Sequence, residues 1–191
     1  VVYGNFVPRV VLPAGSTLVE ILPAGTSTVV LDALLDLQPG AAYDLFAIGG
    51  ANSQPLAFST TEISTTTPAG KAVVTIGHLA PFDSNVDATA VDICTDSGLA
   101  IPGLTGIKYP QVAANLVLDP GPYNLKIAVA GTNCATTAIN LPPFRLFAGE
   151  IADAFAIGLG NTTYPLSLVT TTGLYTEVGF LPIIGKSAPL E

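Results

Sequence analysis

Few side chains of this sequence could take part in catalysis. The single histidine, His78, follows an apolar run and precedes Leu79-Ala80-Pro81. A hydrolase triad would need a nucleophile and an orienting acid around it, yet the sequence has no Gly-x-Ser-x-Gly turn. We therefore predict that the protein is not an enzyme, and we interpret His78 as a side chain that fixes a strand-to-loop corner by hydrogen bonds.

Oxygen-bearing side chains recur at Asp83, Asn85 and Asp87, which is the one-three-five spacing that opens many calcium loops. The sixth position of such a loop needs glycine but is Ala88, and the twelfth needs a bidentate glutamate but is Cys94. We favour the alternative, an acidic loop whose Asp and Asn side chains cap turns. No metal site and no cofactor are expected.

Two covalent modifications are compatible with the sequence. Cys94 and Cys134 allow one intramolecular disulfide, and closing a loop of this length would remove about 3 to 4 kcal/mol of unfolded-state entropy. Two buried free thiols remain the alternative. Asn161-Thr162-Thr163 is an N-glycosylation triplet in an expected turn, which makes Asn161 a candidate acceptor.

The charge pattern restricts the partners. Six Lys and Arg residues are scattered among fourteen Asp and Glu residues, for a net charge of -8, so no basic stripe is available to bind nucleic acid. Only 10% of residues are charged, which is typical of secreted or surface-layer proteins, and we predict an extracellular or cell-surface location. No apolar run approaches about 18 residues, so no membrane span is expected. The remaining partners are further copies of the chain, or a glycan or other surface ligand.

The elements that position these residues are predicted to be strands. Nineteen Gly and sixteen Pro residues, with abundant Thr and Val, favour short strands joined by turns, and hence an all-β sandwich of antiparallel sheets. Residues 123–129 alternate between apolar and polar as a half-buried strand does. Asp119-Pro120-Gly121-Pro122 predicts a turn that folds residues 116–118 back as a hairpin. Residues 31–35 could form a helical turn, although their copy at 139–147 contains Pro142-Pro143.

An internal repeat divides the chain. Leu12-Pro13-Ala14-Gly15 aligns with Leu118-Asp119-Pro120-Gly121 at an offset of 106 residues. After a three-residue insertion, Phe46-Ala47-Ile48-Gly49 aligns with Phe155-Ala156-Ile157-Gly158. We predict two homologous modules. Their limits are an incomplete first module at 1–63, a linker at 64–71, a complete module at 72–172 and a C-terminal extension at 173–191.

Four stretches carry short motifs, namely residues 74–82, 90–93, 120–127 and 148–158. Together they resemble the domain of unknown function 4397 family, which shows a His-x-Ser/Ala-Pro start, a Val-Asp-Val strand, a Leu-Pro-Ala-Gly-x-Tyr hairpin and an Ala-Gly-x-x-Tyr-Thr strand. The resemblance covers 72–172 throughout and residues 1–61 from the middle of the pattern onward. Ala152 replaces the family's tyrosine, which Tyr43 keeps in the first copy.

The resemblance implies tandem immunoglobulin-like sandwiches in secreted or cell-surface proteins of prokaryotes, and it brings no known activity or catalytic residues. Nothing in the first copy corresponds to residues 72–106, so we expect the first module to lack its opening strands. A sandwich of that kind has an unpaired sheet edge. Three fillers remain open: the tail of the same chain, a strand from a neighbouring copy, or residues outside this sequence.

We therefore predict a structural subunit of an extracellular filament or cell-surface assembly, which polymerises through β-strand donation. The alternative is a monomeric secreted or surface-anchored module for adhesion or glycan binding, without catalysis. The best donor is the apolar C-terminal extension. Its candidate residues are Leu174, Tyr175, Val178, Phe180, Leu181, Ile183 and Ile184.

Overall fold

The computed structural model describes residues 10–173, and this part of the chain is built from β-strands, as predicted. A single 3-10 helix, Val86–Thr89, lies among them. The strands are β1 (Gly15–Ile21), β2 (Leu31–Leu37), β3 (Ala42–Ile48), β4 (Ala57–Ile63), β5 (Ala72–His78), β6 (Val91–Thr95), β7 (Val112–Leu118), β8 (Gly121–Tyr123), β9 (Leu125–Val129), β10 (Thr137–Asn140), β11 (Phe144–Leu146), β12 (Ile151–Ile157) and β13 (Ser167–Gly173).

Residues after 71 form two packed layers. The first is a four-stranded sheet in the order β13-β12-β5-β7, and the second contains the sheets β10-β9-β6 and β11-β8. Apolar side chains of β6 and β9, among them Val91, Ile93 and Ile127, pack against Ala156 of β12. Strands β5 and β12 are parallel, which departs from the antiparallel prediction.

The hairpin β3-β4 forms a third layer on the opposite face of the four-stranded sheet. Because side chains alternate along a strand, Ala156 of β12 points into the two-layer core while Phe155 points the other way. Phe155 packs against Ile48 and Phe46 of β3. The four-stranded sheet is therefore covered on both faces, which explains why β5 is buried along nearly its whole length.

One local prediction was wrong, and one alternative left open by the sequence is excluded. Residues 116–118 do not form a hairpin with residues 123–129, because β7 uses its backbone groups to pair with β5, while β8 pairs with β11 and β9 with β6 and β10. The turn at Pro120 instead carries the chain from one layer to the other. Residues 31–35 form part of strand β2 and not a helical turn, since their exposure alternates with the period of a strand paired to β1.

The internal repeat is visible in the hairpins. Strands β3 and β12 have the same length, and both pair antiparallel with the strand that follows them. Gly49 and Gly158, which follow β3 and β12, have φ angles of 80° and 119°. A Cβ atom at either position would collide with a backbone carbonyl, that of Pro55 or of Pro165. The backbone therefore leaves no room for a side chain at either of these two equivalent positions.

The two copies differ in how much core they build. Of the buried apolar side chains among residues 10–173, Ile48 and Ile63 alone precede Ala72. Ile48 packs in a cluster with Leu79, Tyr109 and Phe155 of the second copy. The immunoglobulin-like topology and the proposed module limits stay predictions. Within residues 10–173, no helix is long and apolar enough to cross a membrane.

Candidate functional site: an open edge of strand β3

Among residues 10–173, strand β3 has one neighbour fewer than its repeat equivalent. Strand β12 pairs with β13 on one side and with β5 on the other. Within the described part of the chain, β3 pairs with β4 alone. Among residues 10–173, no strand lies along the other edge of β3, in the position that β5 occupies beside β12.

The pairing of β5 with β12 shows what such a position requires. Gly77 of β5 lies opposite Phe155 of β12. A Cβ atom at Gly77 would come within 2.6 Å of Phe155 Cδ1, so the aromatic ring fills the space that a side chain would need. Phe46 is the repeat equivalent of Phe155, and their ring centroids are 4.5 Å apart. A strand added to β3 would meet Phe46 as β5 meets Phe155.

Leu45 of β3 and several other apolar side chains of the first copy are exposed. Leu45, on the outward face of β3, is 38% exposed, whereas its equivalent Ala154 lies on the inward face of β12. Further exposed apolar residues of the first copy are Val10, Val11, Leu12, Leu18, Leu22, Val29, Val30, Leu34 and Leu56.

Side-chain hydrogen bonds hold the hairpin β3-β4 on the sheet. Asn115, at an irregularity of β7, accepts from Ser64 N at 2.6 Å and donates to the Glu62 carbonyl at 3.2 Å. Asn52, in the loop after β3, donates to the Pro81 carbonyl at 2.7 Å, and Gln54 donates to the Ser84 carbonyl at 3.0 Å. The hairpin, and with it the open edge, has a fixed orientation.

Two carboxyl groups meet where the hairpin covers the sheet. Asp44 of β3 and Asp153 of β12 are repeat equivalents, and burial followed by the charge of Asp153 raises the pKa of Asp44 to about 6. Burial likewise raises the pKa of Asp153, against the hydrogen bond that Thr171 Oγ1 donates to it at 2.6 Å. Asp44 Oδ2 and Asp153 Oδ1 have no hydrogen-bond partner among residues 10–173. Sequence reasoning missed this pair, although its members occupy equivalent repeat positions.

His78 is buried at the corner after β5. Its Nδ1 accepts from Ala80 N at 3.3 Å, so its Nε2 carries the proton and donates to the Thr89 carbonyl at 2.7 Å. The ring stacks on Phe82 with centroids 5.7 Å apart. Burial lowers the pKa of His78, which keeps the ring neutral. This geometry agrees with the interpretation of His78 as a corner-fixing side chain.

The acidic loop uses its oxygen atoms to order its own backbone. Asp83 Oδ1 accepts from Asn85 N at 2.8 Å, and Asn85 Oδ1 accepts from Asp87 N at 3.0 Å at the start of the 3-10 helix. Asp87 pairs with Lys108 at 2.6 Å, and this hydrogen bond lowers the pKa of Asp87. Within the described ranges no group of three or more His, Cys, Asp or Glu side chains is placed to hold a metal ion.

The cysteine prediction is confirmed. Cys94 at the end of β6 and Cys134 in the loop after β9 form a disulfide with a Cα–Cα distance of 6.1 Å. Both are buried against Ala128. Asn161 is exposed in the turn between β12 and β13, where its Oδ1 accepts from Thr163 N and Tyr164 N. The donor candidates between 174 and 184 lie outside the described residues.

Comparisons with known proteins give one family match, which covers part of the chain. No curated protein matches the chain. A solved structure of the C-terminal domain of AlgF from P. aeruginosa is similar, with 18% sequence identity over 55% of this chain and 99% of that chain and a TM-score of 0.36. Residues 1–89 match the family described as Domain of unknown function (DUF4397). This match confirms the resemblance drawn from the sequence for residues 1–89, while the stretches at 90–93, 120–127 and 148–158 lie outside it.

Proposed function

We propose that the protein is a structural subunit of an extracellular filament or cell-surface assembly, and that its copies join by donating a β-strand. The observation that carries this proposal is the open edge of β3. Its repeat equivalent β12 is paired on both sides, whereas β3 is paired on one side among residues 10–173. An added strand would restore the arrangement that the second copy already has.

The weak core of the first copy supports the same proposal. Strands β1 and β2 pair with each other and carry half-buried residues on one face, while Leu18 and Leu34 on the other face are 56% and 69% exposed. Burying such surface is worth about 25 cal/mol per Å². A partner that covers these side chains would therefore gain binding energy from the hydrophobic effect as well as from main-chain hydrogen bonds.

The proposed donor is the segment 174–184 of a neighbouring copy. It directly follows β13 and contains a run of apolar residues, Val178-Gly179-Phe180-Leu181. A tail that binds a different site on the next copy makes a head-to-tail contact, and such contacts produce filaments when the rotation between copies does not close a ring. Each copy has one tail and one open β3 edge, which is what a linear polymer needs.

An extracellular location fits two features of the chain. The disulfide between Cys94 and Cys134 is of a kind that forms and persists in oxidising compartments. The chain also carries few charges, 10% of its residues, which suits a protein whose surfaces are covered by neighbouring copies. We propose no catalytic role, since buried His78 is engaged by backbone groups on both ring nitrogens.

Replacing apolar residues of the tail tests the proposal in the full-length chain. We expect the wild-type protein to form polymers visible by electron microscopy, and the double variant Val178→Asp, Phe180→Asp to remain monomeric in sedimentation velocity. The variant Ser187→Asp, which adds a charge outside the apolar run, is the matched control and should polymerise normally.

Undiminished polymers of the double variant would exclude the tail as donor. A wild-type chain that stays monomeric at all concentrations would instead favour the alternative function, a monomeric surface module for adhesion or glycan binding. Binding of a synthetic peptide of residues 174–191 to the double variant, measured by calorimetry, would support an open acceptor edge.

A further inference from the structure

We infer that the donated tail enters the β3 edge in one defined register, with Gly179 beside Phe46, and that this register can be satisfied only by the tail of another copy. The inference rests on the proposed strand donation and specifies which residues meet. It follows from the way β5 pairs with β12, from the repeat equivalence of β3 and β12, and from the distance that the chain can span after Gly173.

The tail repeats the pattern of β5. Ile76-Gly77-His78-Leu79 at the end of β5 aligns with Val178-Gly179-Phe180-Leu181, an apolar residue, a glycine, a ring and a leucine in each case. With this alignment the seven residues of β5 correspond to 174–180. The first copy lacks a strand equivalent to β5 among residues 10–173, and the tail has the sequence pattern to replace it.

The glycine fixes the register. Beside β12, Gly77 is required because the ring of Phe155 fills the space of its side chain, 2.6 Å from the position of a Cβ atom. Phe46 occupies the equivalent position on β3. A shift of the tail by one residue would bring Val178 or Phe180 beside Phe46, and it would also turn every side chain of the tail to the opposite face.

The same register excludes the tail of the same chain. Gly173 pairs with Ile151, the repeat equivalent of Ala42, and the inferred register puts Tyr175 beside Ala42. The layers of β3 and β12 face each other at equivalent positions, as the contact of Phe46 with Phe155 shows. Packed sheets lie about 10 Å apart. The two residues from Gly173 to Tyr175 span at most about 7 Å, so the tail cannot cross to its own β3 edge in this register.

Engineered disulfides in the full-length chain test both parts of the inference. In the register of β5 and β12, Ile76 lies opposite Ala154, so Val178 should lie opposite Leu45. We expect the double variant Leu45→Cys, Val178→Cys to form a ladder of covalent multimers after mild oxidation. The control Leu45→Cys, Thr176→Cys has its second cysteine two residues away on the same strand face and should form none. Cys94 and Cys134 are bonded to each other and do not compete.

Three results would overturn the inference. A ladder from the control pair, or from neither pair while microscopy still shows polymers, means that the register is wrong although strand donation stands. A cross-linked monomer from the Leu45, Val178 pair means that the tail folds onto its own chain. If the Val178→Asp, Phe180→Asp variant polymerised like the wild type, the proposed function itself would be refuted. The two failures are therefore distinguishable.

A second variant does not depend on cross-linking. Gly179→Val should raise the protein concentration needed for polymerisation by about tenfold or more, because its side chain would compete with the ring of Phe46. Gly185→Val, outside the segment aligned with β5, is the control and should polymerise like the wild type. Equal polymerisation of the two variants would contradict the inferred register.

Discussion

Phe46 and Phe155 occupy equivalent positions in the two repeats, and their rings contact each other with centroids 4.5 Å apart. The two copies therefore contact each other through equivalent faces of their equivalent hairpins, β3-β4 and β12-β13. Asp44 and Asp153, two residues earlier in each copy, lie in that contact as well. The contribution of this interface can be tested by measuring the free energy of unfolding of variants at these positions.

Replacing Asp44 with asparagine should stabilise the protein at neutral pH. The pKa of Asp44 is raised from 3.8 to about 6, so the folded state binds the proton more tightly than the unfolded state does. The free energy of unfolding should therefore be highest below about pH 4, fall as the pH rises to about 6, and stay level above it. Asp44→Asn should gain about 1 kcal/mol at pH 7, a figure reduced for solvent screening of a half-buried group.

Urea unfolding at pH 4 and pH 7 measures this effect. The control Asp32→Asn changes an exposed carboxyl of β2 and should not raise the free energy of unfolding at pH 7. A variant Asp44→Asn that is less stable than the wild type at pH 7 would mean that the ionised carboxyl stabilises the interface.

Enlarging Gly77 should destabilise the second copy. A Cβ atom there would lie 2.6 Å from Phe155 Cδ1 and 3.3 Å from Val112 Cγ2. We expect Gly77→Ala to cost about 1 to 3 kcal/mol, because the surrounding layers leave no room for the ring to move. A double-mutant cycle with Phe155→Leu should recover part of the loss. Additive effects of the two substitutions would show that the ring does not require the glycine.

Two glycines with similar backbone angles should respond differently to alanine. Gly49 and Gly40 have φ angles of 80° and 74°. A Cβ atom at Gly49 would collide with the Pro55 carbonyl, whereas nothing lies within 4 Å of one at Gly40. Both substitutions should cost about 1 kcal/mol for the left-handed backbone. Gly49→Ala should cost more than Gly40→Ala in thermal unfolding, and equal losses would be contrary to the expected collision.

Removing the disulfide should weaken the second copy. Cys94 and Cys134 are 40 residues apart, so Cys94→Ala, Cys134→Ala should lose about 4 kcal/mol by the loop-closure relation. Denaturant unfolding measures the loss. Reductant should destabilise the wild type by a similar amount and leave the double variant unaffected. Equal stability with and without reductant in the wild type would argue against this contribution.

The sequence was informative where local chemistry decides the structure. Turn residues and the alternation of apolar residues predicted an all-β chain, and the spacing of Cys94 and Cys134 allowed the disulfide that forms. The repeat alignment also anticipated that β3 and β12 are equivalent. Each of these predictions depends on the order of residue types within a segment or on the similarity of two segments.

Strand pairing was harder to predict because it is decided by competition between distant segments. The turn at Asp119 was recognised, but its hairpin does not form, since β7 finds β5 more than 30 residues earlier in the sequence. The pair of Asp44 and Asp153 was missed for a similar reason, as nothing local indicates that two hairpins stack face to face. Asp44 and Asp153 precede Phe46 and Phe155 by two residues and therefore share their strand faces, and this was the available signal.

In the proposed assembly each subunit would accept a strand at β3 and donate a different segment, so a chain of subunits would have a direction. One terminus would display an unfilled groove beside Phe46, and the opposite terminus would display an unused tail. Growth and arrest could then differ between the two ends, and a short soluble peptide that mimics residues 174–184 should block one end while leaving the other able to elongate.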